Sequence, residues 1–168
     1  MLNKTTLYIF IVLVAFSKAI GQEKDVTEII LEGSAKDKTL EMSGLTWYKD
    51  KLILLPQYID YDDPAFYSIS KSRINKWLNE ESKKPIIPQK IKLTLPDYRK
   101  SIKGYQGFEA ICFDGRNVYL VIESKDNDVM KSYIVMGAIN RDNSLIEIKN
   151  DSLTEIPVPV NIKNMAFE

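Results

Sequence analysis

The sequence predicts an all-β protein, and three observations carry that prediction. Short apolar segments with alternating character recur along the chain between turn-forming residues, and no sustained helical periodicity follows residue 21. Hairpin patterns occur twice, at 41–56 and 107–124. The second pattern lies 66 residues after the first, and repeats of about this length built from short strands are typical of β-propellers and related arrays. We therefore expect a partial β-propeller of about two four-stranded blades plus the start of a third.

The two hairpin patterns align residue by residue. Residues 41–45 are EMSGL and residues 107–111 are GFEAI, so Ser43 falls on Glu109 and Trp47 falls on Phe113. Small residues at this level let inner strands converge near a central axis, where polar neighbours point into a channel. The last two residues, Phe167-Glu168, repeat the Phe-Glu pair of the second hairpin.

Residues 1–21 are predicted to be a secretory signal peptide. Lys4 supplies the positive charge, and the apolar run from Leu7 to Phe16 is shorter than the roughly 20 residues that span a membrane. Small residues favour cleavage before Gln22, with cleavage after Ala19 or an uncleaved anchor as the alternatives. We expect a periplasmic or secreted protein with no stable membrane anchor after cleavage.

The remaining residues, 22–168, are expected to form one incomplete β-propeller domain. Its blade-like units are predicted at 38–96 and 104–160, with a third unit starting at 164. A strand is predicted first at 26–32. The other predicted elements are strands at 45–47, 52–57, 65–74 and 91–95, a short helix or turn at 75–82, strands at 108–113, 118–123 and 132–139, and an outer strand shared by 145–148 and 155–160.

The sequence stops inside a motif, so we expect it to be an N-terminal fragment of a longer propeller. Two blades cannot close a ring, because propellers typically contain 4–8 blades. Each repeat also needs neighbours to bury its faces. The alternative is a small, complete β-domain whose ending is coincidental.

Composition excludes several classes of chemistry. The 23 basic and 23 acidic residues balance, which gives no electrostatic reason to expect a nucleic-acid partner. Histidine is absent, which excludes a Ser-His-Asp or Cys-His triad and the HExxH zinc motif within this chain. Cys112 is the single cysteine, so no intrachain disulfide forms, and its strand pattern predicts a buried apolar role.

Two motifs resemble those of known secreted bacterial propellers. Residues 41–45 resemble the E-x-S-G-[LI] opening of the SdiA-regulated and esterase-like phytase families. Residues 107–111 are similar to their [DG]-[LF]-E-[GA]-[IL] unit, and 118–123 to the apolar strand ending in Glu that follows it. The resemblance covers about residues 38–124, with an echo at 164–168. It implies a propeller of about six blades with a metal ion or ligand at the channel mouth.

Three glutamates are the candidate metal ligands. Glu109 lies at the start of a predicted inner strand, and Glu41 and Glu168 occupy similar places in their units. Several carboxylates converging from different blades would suit Ca²⁺, which takes 6–8 oxygen ligands. The alternative is that each glutamate caps a backbone amide or pairs with a lysine.

A second acidic group resembles part of a calcium loop. Asp60, Asp62 and Asp63 have suitable spacing, but the later glycine and glutamate of an EF-hand are absent, which favours a solvated loop.

Glu123, which ends an inner strand, is expected to lie at a solvated edge. Ser43 has no histidine to activate it as a nucleophile, so packing near the axis is its expected role.

Two functions follow from these patterns. The first is metal-assisted ester or phosphoester hydrolysis in an intact ring, where a carboxylate-bound ion would activate water. The alternative is a non-catalytic secreted module that binds a small-molecule or protein ligand. Because fold alone does not decide between them, we assign no catalytic residue and expect no activity from these 168 residues alone.

Overall fold

The computed structural model describes residues 26–80 and 83–157. Within these ranges the chain is mostly β-sheet, as the sequence predicts. The strands are β1 (Met42–Tyr48), β2 (Lys51–Pro56), β3 (Ala65–Ser70), β4 (Gln89–Thr94), β5 (Tyr105–Asp114), β6 (Asn117–Asp126), β7 (Val129–Ile139), β8 (Leu145–Ile148) and β9 (Thr154–Ile156). The helices are α1 (Lys71–Asn79), α2 (Tyr98–Ser101) and two short 3-10 helices at Gly33–Lys36 and Lys38–Leu40.

Strands β1 to β4 form one antiparallel meander. Leu45 pairs with Leu54, Leu52 with Ile69, and Phe66 with Ile91. Alternate residues of each strand point to opposite faces, so the apolar residues of β2 and β3 supply both faces of this meander. The meander can therefore bury apolar side chains on two sides.

Strands β5 to β8 form a second antiparallel meander. Asp114 pairs with Asn117, which leaves Gly115 and Arg116 as the tight turn between β5 and β6. Both β8 and β9 pair with β7, β8 opposite residues 137–139 and β9 opposite residues 132–134. Two short segments therefore pair with β7, as predicted, but β8 also pairs with β4 and so is not an outer strand. Residues 158–160 of the second predicted segment lie outside the described residues.

The two meanders belong to one curved sheet. Its order is β1-β2-β3-β4-β8-β7-β6-β5, with β9 beside β7. Parallel pairing of β4 with β8 joins the meanders, with Leu93 opposite Ile146. At the other end β1 approaches β5, so the sheet is barrel-like and nearly closed. By pairing, strands β4 and β8 satisfy each other's edge hydrogen-bonding groups, which exposed strand edges would leave unpaired.

The main core lies between the meanders. Phe66 and Phe108 meet edge to face with ring centroids 6.4 Å apart, and Leu120 and Ile122 of β6 are fully buried beside them. Because residues from β2 to β8 contribute to this cluster, each meander buries its inner face against the other. Most of the stabilisation from apolar burial is therefore shared between them.

A second apolar cluster covers the other face of the first meander. Trp77 of α1 is 1% exposed, and its indole Nε1 donates to the Lys84 carbonyl at 2.8 Å. Leu54, Tyr67 and Ile86 pack in the same cluster. The Ser70 hydroxyl accepts a hydrogen bond from the Arg73 backbone N–H, which caps α1.

Two predicted strand boundaries are wrong. No strand forms over 26–32; only Leu31 makes an isolated bridge, to Ile86. The strand predicted at 65–74 ends at Ser70, because Ser70 caps a helix that begins earlier than the predicted 75–82.

Two predicted burial states are also wrong. Cys112 is exposed, because its neighbour Ile111 takes the inward position of β5. Glu123 is 9% exposed rather than solvated. Its strand continues to Asp126, which moves Glu123 away from the end of β6.

Among the described residues no helix combines the length and apolar character needed to cross a bilayer.

Candidate functional site

Strands β1 and β5, the first strands of the two meanders, meet along a seam. The Ser43 hydroxyl donates to the Phe108 carbonyl at 2.6 Å. Further along, the Tyr48 and Phe113 rings lie 4.5 Å apart. These contacts advance in the same direction along both strands, so the repeated hairpins lie side by side and parallel. The repeat found in the sequence is thus a spatial neighbour relation in the structure.

Gly44 lets the two strands approach closely. A Cβ at this position would lie 3.0 Å from the Leu55 side chain and 3.5 Å from the Glu109 carbonyl oxygen. Contacts near 3.0 Å require a neighbour to move, so a larger residue would displace the Leu55 side chain, while its Cβ would be in ordinary contact with β5. The small residue that the sequence pattern places here therefore has a packing role at the seam.

Gln57 connects the two meanders at one end of the seam. Its Nε2 donates to Glu109 Oε1 at 2.6 Å and to the Gln106 carbonyl at 3.2 Å. Its backbone N–H donates to the Glu41 carbonyl at 2.7 Å, and its own carbonyl accepts from the Phe108 N–H at 2.9 Å. We call Glu41, Ser43, Gln57 and Glu109 the polar rim.

The structure places two of the three predicted glutamates in this rim. Glu109 is half-buried and its carboxylate contacts the Gln57 side chain, whereas Glu41 is exposed and contacts Gln57 through its backbone carbonyl. Glu168 lies outside the described residues. Gln57 was not predicted as a site residue. The sequence signal for it is a polar residue directly after the buried apolar run 53–56, where a strand ends at the seam.

The polar rim does not fit a calcium ion by itself. Across residues 26–80 and 83–157, no group of three or more His, Cys, Asp or Glu side chains could hold a metal. Glu109 Oε1 already accepts the Gln57 amide proton. Two glutamates fall well short of the 6–8 oxygens that Ca²⁺ takes, so no step is assigned to an ion here.

The Ser43 hydroxyl has a structural role. It donates to Phe108 at 2.6 Å and lies 3.4 Å from the Leu55 carbonyl. A hydroxyl whose proton is held by a backbone carbonyl fixes the seam, and a nucleophile would need a base to take that proton. The packing role expected from the sequence agrees with these contacts.

The acidic loop at 60–63 is stabilised by local partners. The Asp60 carboxylate accepts from the Asp62 backbone N–H at 2.9 Å. Asp63 forms a salt bridge with Lys90, and this hydrogen bond lowers the pKa of Asp63. Asp60, Asp63 and Lys90 line, together with Asp37, a cleft of about 110 Å³. The solvated-loop alternative agrees with this arrangement better than a calcium loop.

A group of tyrosines packs at the start of β5, where Tyr98 and Tyr105 contact the Phe108 ring edge to face. Tyr61 and Tyr105 place their hydroxyl oxygens 3.5 Å apart, and the Arg99 guanidinium lies 4.0 Å over the Tyr61 ring. Burial raises the pKa of Tyr105 and Tyr61, and raises that of Tyr98 to about 12. All three therefore stay protonated at neutral pH, which suits packing rather than acid–base chemistry.

Comparisons of this chain with protein-family models, with curated proteins and with solved structures gave no match.

Proposed function

We propose that this chain is an extracytoplasmic binding module of the β-propeller type, in which the polar rim receives a ligand without converting it. One observation carries the proposal: the Gln57 side chain joins the two meanders and orients Glu109 at 2.6 Å. A carboxylate fixed by a neighbouring amide is preorganised, which lowers the entropic cost of binding. The signal peptide predicted from residues 1–21 supports the extracytoplasmic location.

The propeller type is supported by how the meanders meet. Each has four antiparallel strands, and their first strands lie side by side in the same direction with Gly44 against β5. First strands that converge in this way are expected around a propeller axis. The EMSGL and GFEAI motifs, which resemble those of secreted propellers, form this contact.

The ligand expected at the polar rim is rich in hydrogen-bond donors. Glu109 presents a carboxylate, whose oxygens only accept hydrogen bonds when ionised. A hydroxyl-rich or ammonium-bearing molecule supplies the matching donors, and charge-assisted hydrogen bonds are the stronger kind. Spermidine and maltotriose serve as probes that separate these two donor types.

The test is calorimetric titration of the whole chain with each probe. We expect at least one of them to bind. Glu109→Gln removes the charge but keeps the shape, so it should weaken the binding of cationic spermidine strongly, and that of uncharged maltotriose less. The matched control is Glu147→Gln, an exposed position on β8 outside the rim. Absence of binding by both probes, or equal binding by Glu109→Gln, would contradict the proposal.

The proposal that the chain does not convert its ligand has a separate test. The chain is incubated with 4-nitrophenyl phosphate, with and without CaCl₂, and release of nitrophenolate is followed. We expect no turnover above a heat-denatured control. Turnover that disappears in Glu109→Gln would favour metal-assisted hydrolysis, the function that the family resemblance implies.

A further inference from the structure

A second cleft lies at the opposite end of the seam from the polar rim. It is formed where the turn between β1 and β2 approaches the turn between β5 and β6, and its volume is about 420 Å³. This volume lies in the range of small-molecule sites. We call it the aromatic–basic cleft; it is lined by Trp47, Tyr48, Lys49, Phe113, Gly115 and Arg116.

Aromatic rings supply the apolar wall of this cleft. Tyr48 and Phe113 pack with their ring planes 32° apart, and Tyr48 is buried. Trp47 stays 50% exposed, so part of its indole ring is accessible to a ligand. Trp47 and Phe113 are equivalent positions of the sequence repeat, so both meanders contribute an aromatic ring to one cleft. An exposed ring on a rigid hairpin offers a stacking surface.

The charged side chains that the structure places in this wall are both cationic. Lys49 Nζ lies 5.0 Å from the Tyr48 ring centroid. Arg116 Nε donates to the Ile139 carbonyl at 2.9 Å, which anchors the guanidinium on β7. An anchored guanidinium loses less freedom when it binds an anion. Two cations beside exposed aromatic surface therefore match a molecule that is both anionic and flat.

We propose that the aromatic–basic cleft binds a small organic anion that carries a planar ring, such as an aryl phosphate. The ring stacks on Trp47, and the anionic group pairs with Lys49 and Arg116. Nothing in this proposal depends on the polar rim, which lies at the other end of β1 and β5. If binding at one of the two sites is disproved, the proposal for the other site is unaffected.

Tryptophan fluorescence of the whole chain gives the readout. The sequence has two tryptophans, and Trp77 is 1% exposed, so a ligand in the cleft changes the emission of Trp47. Phenyl phosphate is titrated against phenol and inorganic phosphate. We expect saturable binding of phenyl phosphate, with a Kd about tenfold lower than for either half-molecule, because ring and charge are both used.

Matched variants assign the binding to the cleft. Lys49→Gln should raise the Kd for phenyl phosphate about fivefold or more, and Lys49→Arg should restore it. Lys149→Gln, an exposed lysine outside the cleft, is the charge-matched control and should leave Kd unchanged. Trp47→Phe should abolish the emission change. Thermal melts matching the unmodified chain show that each variant is folded.

Three results would overturn the proposal. They are equal Kd values for phenol and phenyl phosphate, equal Kd values for inorganic phosphate and phenyl phosphate, and a Kd that Lys49→Gln leaves unchanged. The first would leave only a ring site, the second only an anion site, and the third a site elsewhere on the chain.

Discussion

At position 107 the backbone has φ +122°, a conformation that L side chains rarely adopt. A Cβ there would lie 2.6 Å from the Gln57 carbonyl oxygen, the acceptor that holds β5 at the seam. Gly107→Ala should therefore lower the free energy of unfolding by about 2–4 kcal/mol, measured by urea denaturation. Gly115→Ala is the control, since it has φ +57° but nothing within 4 Å; it should cost about 1 kcal/mol. Equal losses would show that backbone strain alone matters.

Tyr98 buries its ring and its hydroxyl together. The side chain is 1% exposed, and among the described residues its hydroxyl has no hydrogen-bond partner. Tyr98→Phe removes a polar atom that is costly to bury, so it should leave the free energy of unfolding unchanged or raise it by about 1–3 kcal/mol. Tyr61→Phe instead removes the hydroxyl facing Tyr105 and should destabilise by about 0.5–1.5 kcal/mol. Thermal melts distinguish them; a destabilised Tyr98→Phe would indicate a bound water.

Two residues of the polar rim, Glu41 and Glu109, could be predicted from the sequence, and Gln57 could not. Glu41 and Glu109 are recognisable because they sit in repeated motifs, and the structure brings both against Gln57. Gln57 ends the predicted strand 52–57, at the repeat position that Glu123 takes in the second unit, and only its place across the seam shows its role. Whether these residues bind a ligand stays a prediction.

The short helix α2 depends on one carboxylate at its start. Asp97 accepts from the Arg99 backbone N–H at 3.3 Å and pairs with the Arg99 Nε at 2.8 Å. These contacts lower the pKa of Asp97 from 3.8 to about 2. Because the folded pKa lies below the ordinary value, the ionised carboxylate stabilises the fold above pH 3.8, and this contribution is lost as the pH falls to about 2.

Asp97→Asn tests this pH dependence. Asparagine can still cap the helix but cannot form the ion pair. The variant should melt at a lower temperature than the unmodified chain at pH 7, and the difference should shrink as the pH approaches 2. A difference that stays constant from pH 7 to pH 2 would show that Asp97 acts through capping geometry alone.

Secondary-structure elements were predicted correctly where the alternation of apolar and polar residues was strong. The predictions were wrong where a helix cap interrupts that alternation. Alternation predicted the strands of both meanders, and the turn at 114–117 fixed one hairpin. Alternation also continued past Ser70, where the Ser70 cap starts α1 instead. Likewise, the residues at 26–32 have strand-like composition, but they pair with the rest of the chain through one isolated bridge, in which Ile86 hydrogen-bonds to Ile30 and Glu32 on either side of Leu31. Composition cannot supply a pairing partner.

At the scale of the whole molecule, the all-β class was predictable and the closure of the sheet was not. The β4–β8 pairing joins residues far apart in sequence, and no local pattern distinguishes an outer blade strand from a strand that pairs across units. The alternation of buried and exposed residues in β4 and β8 fits either arrangement. That the chain is of the propeller type is therefore a proposal.

The shared core predicts that both meanders unfold together. Leu120 of β6 is fully buried in it, so Leu120→Ala should cost about 2–5 kcal/mol. In a Trp47→Phe background, Trp77 emission reports on the second cluster, beyond the first meander. Its urea midpoint should fall as far as the midpoint from circular dichroism, because removing the core contact destabilises both meanders. Leu45→Ala, 65% exposed, is the control that should leave both midpoints in place. A Trp77 midpoint that stays unchanged in Leu120→Ala would mean that the first meander folds independently.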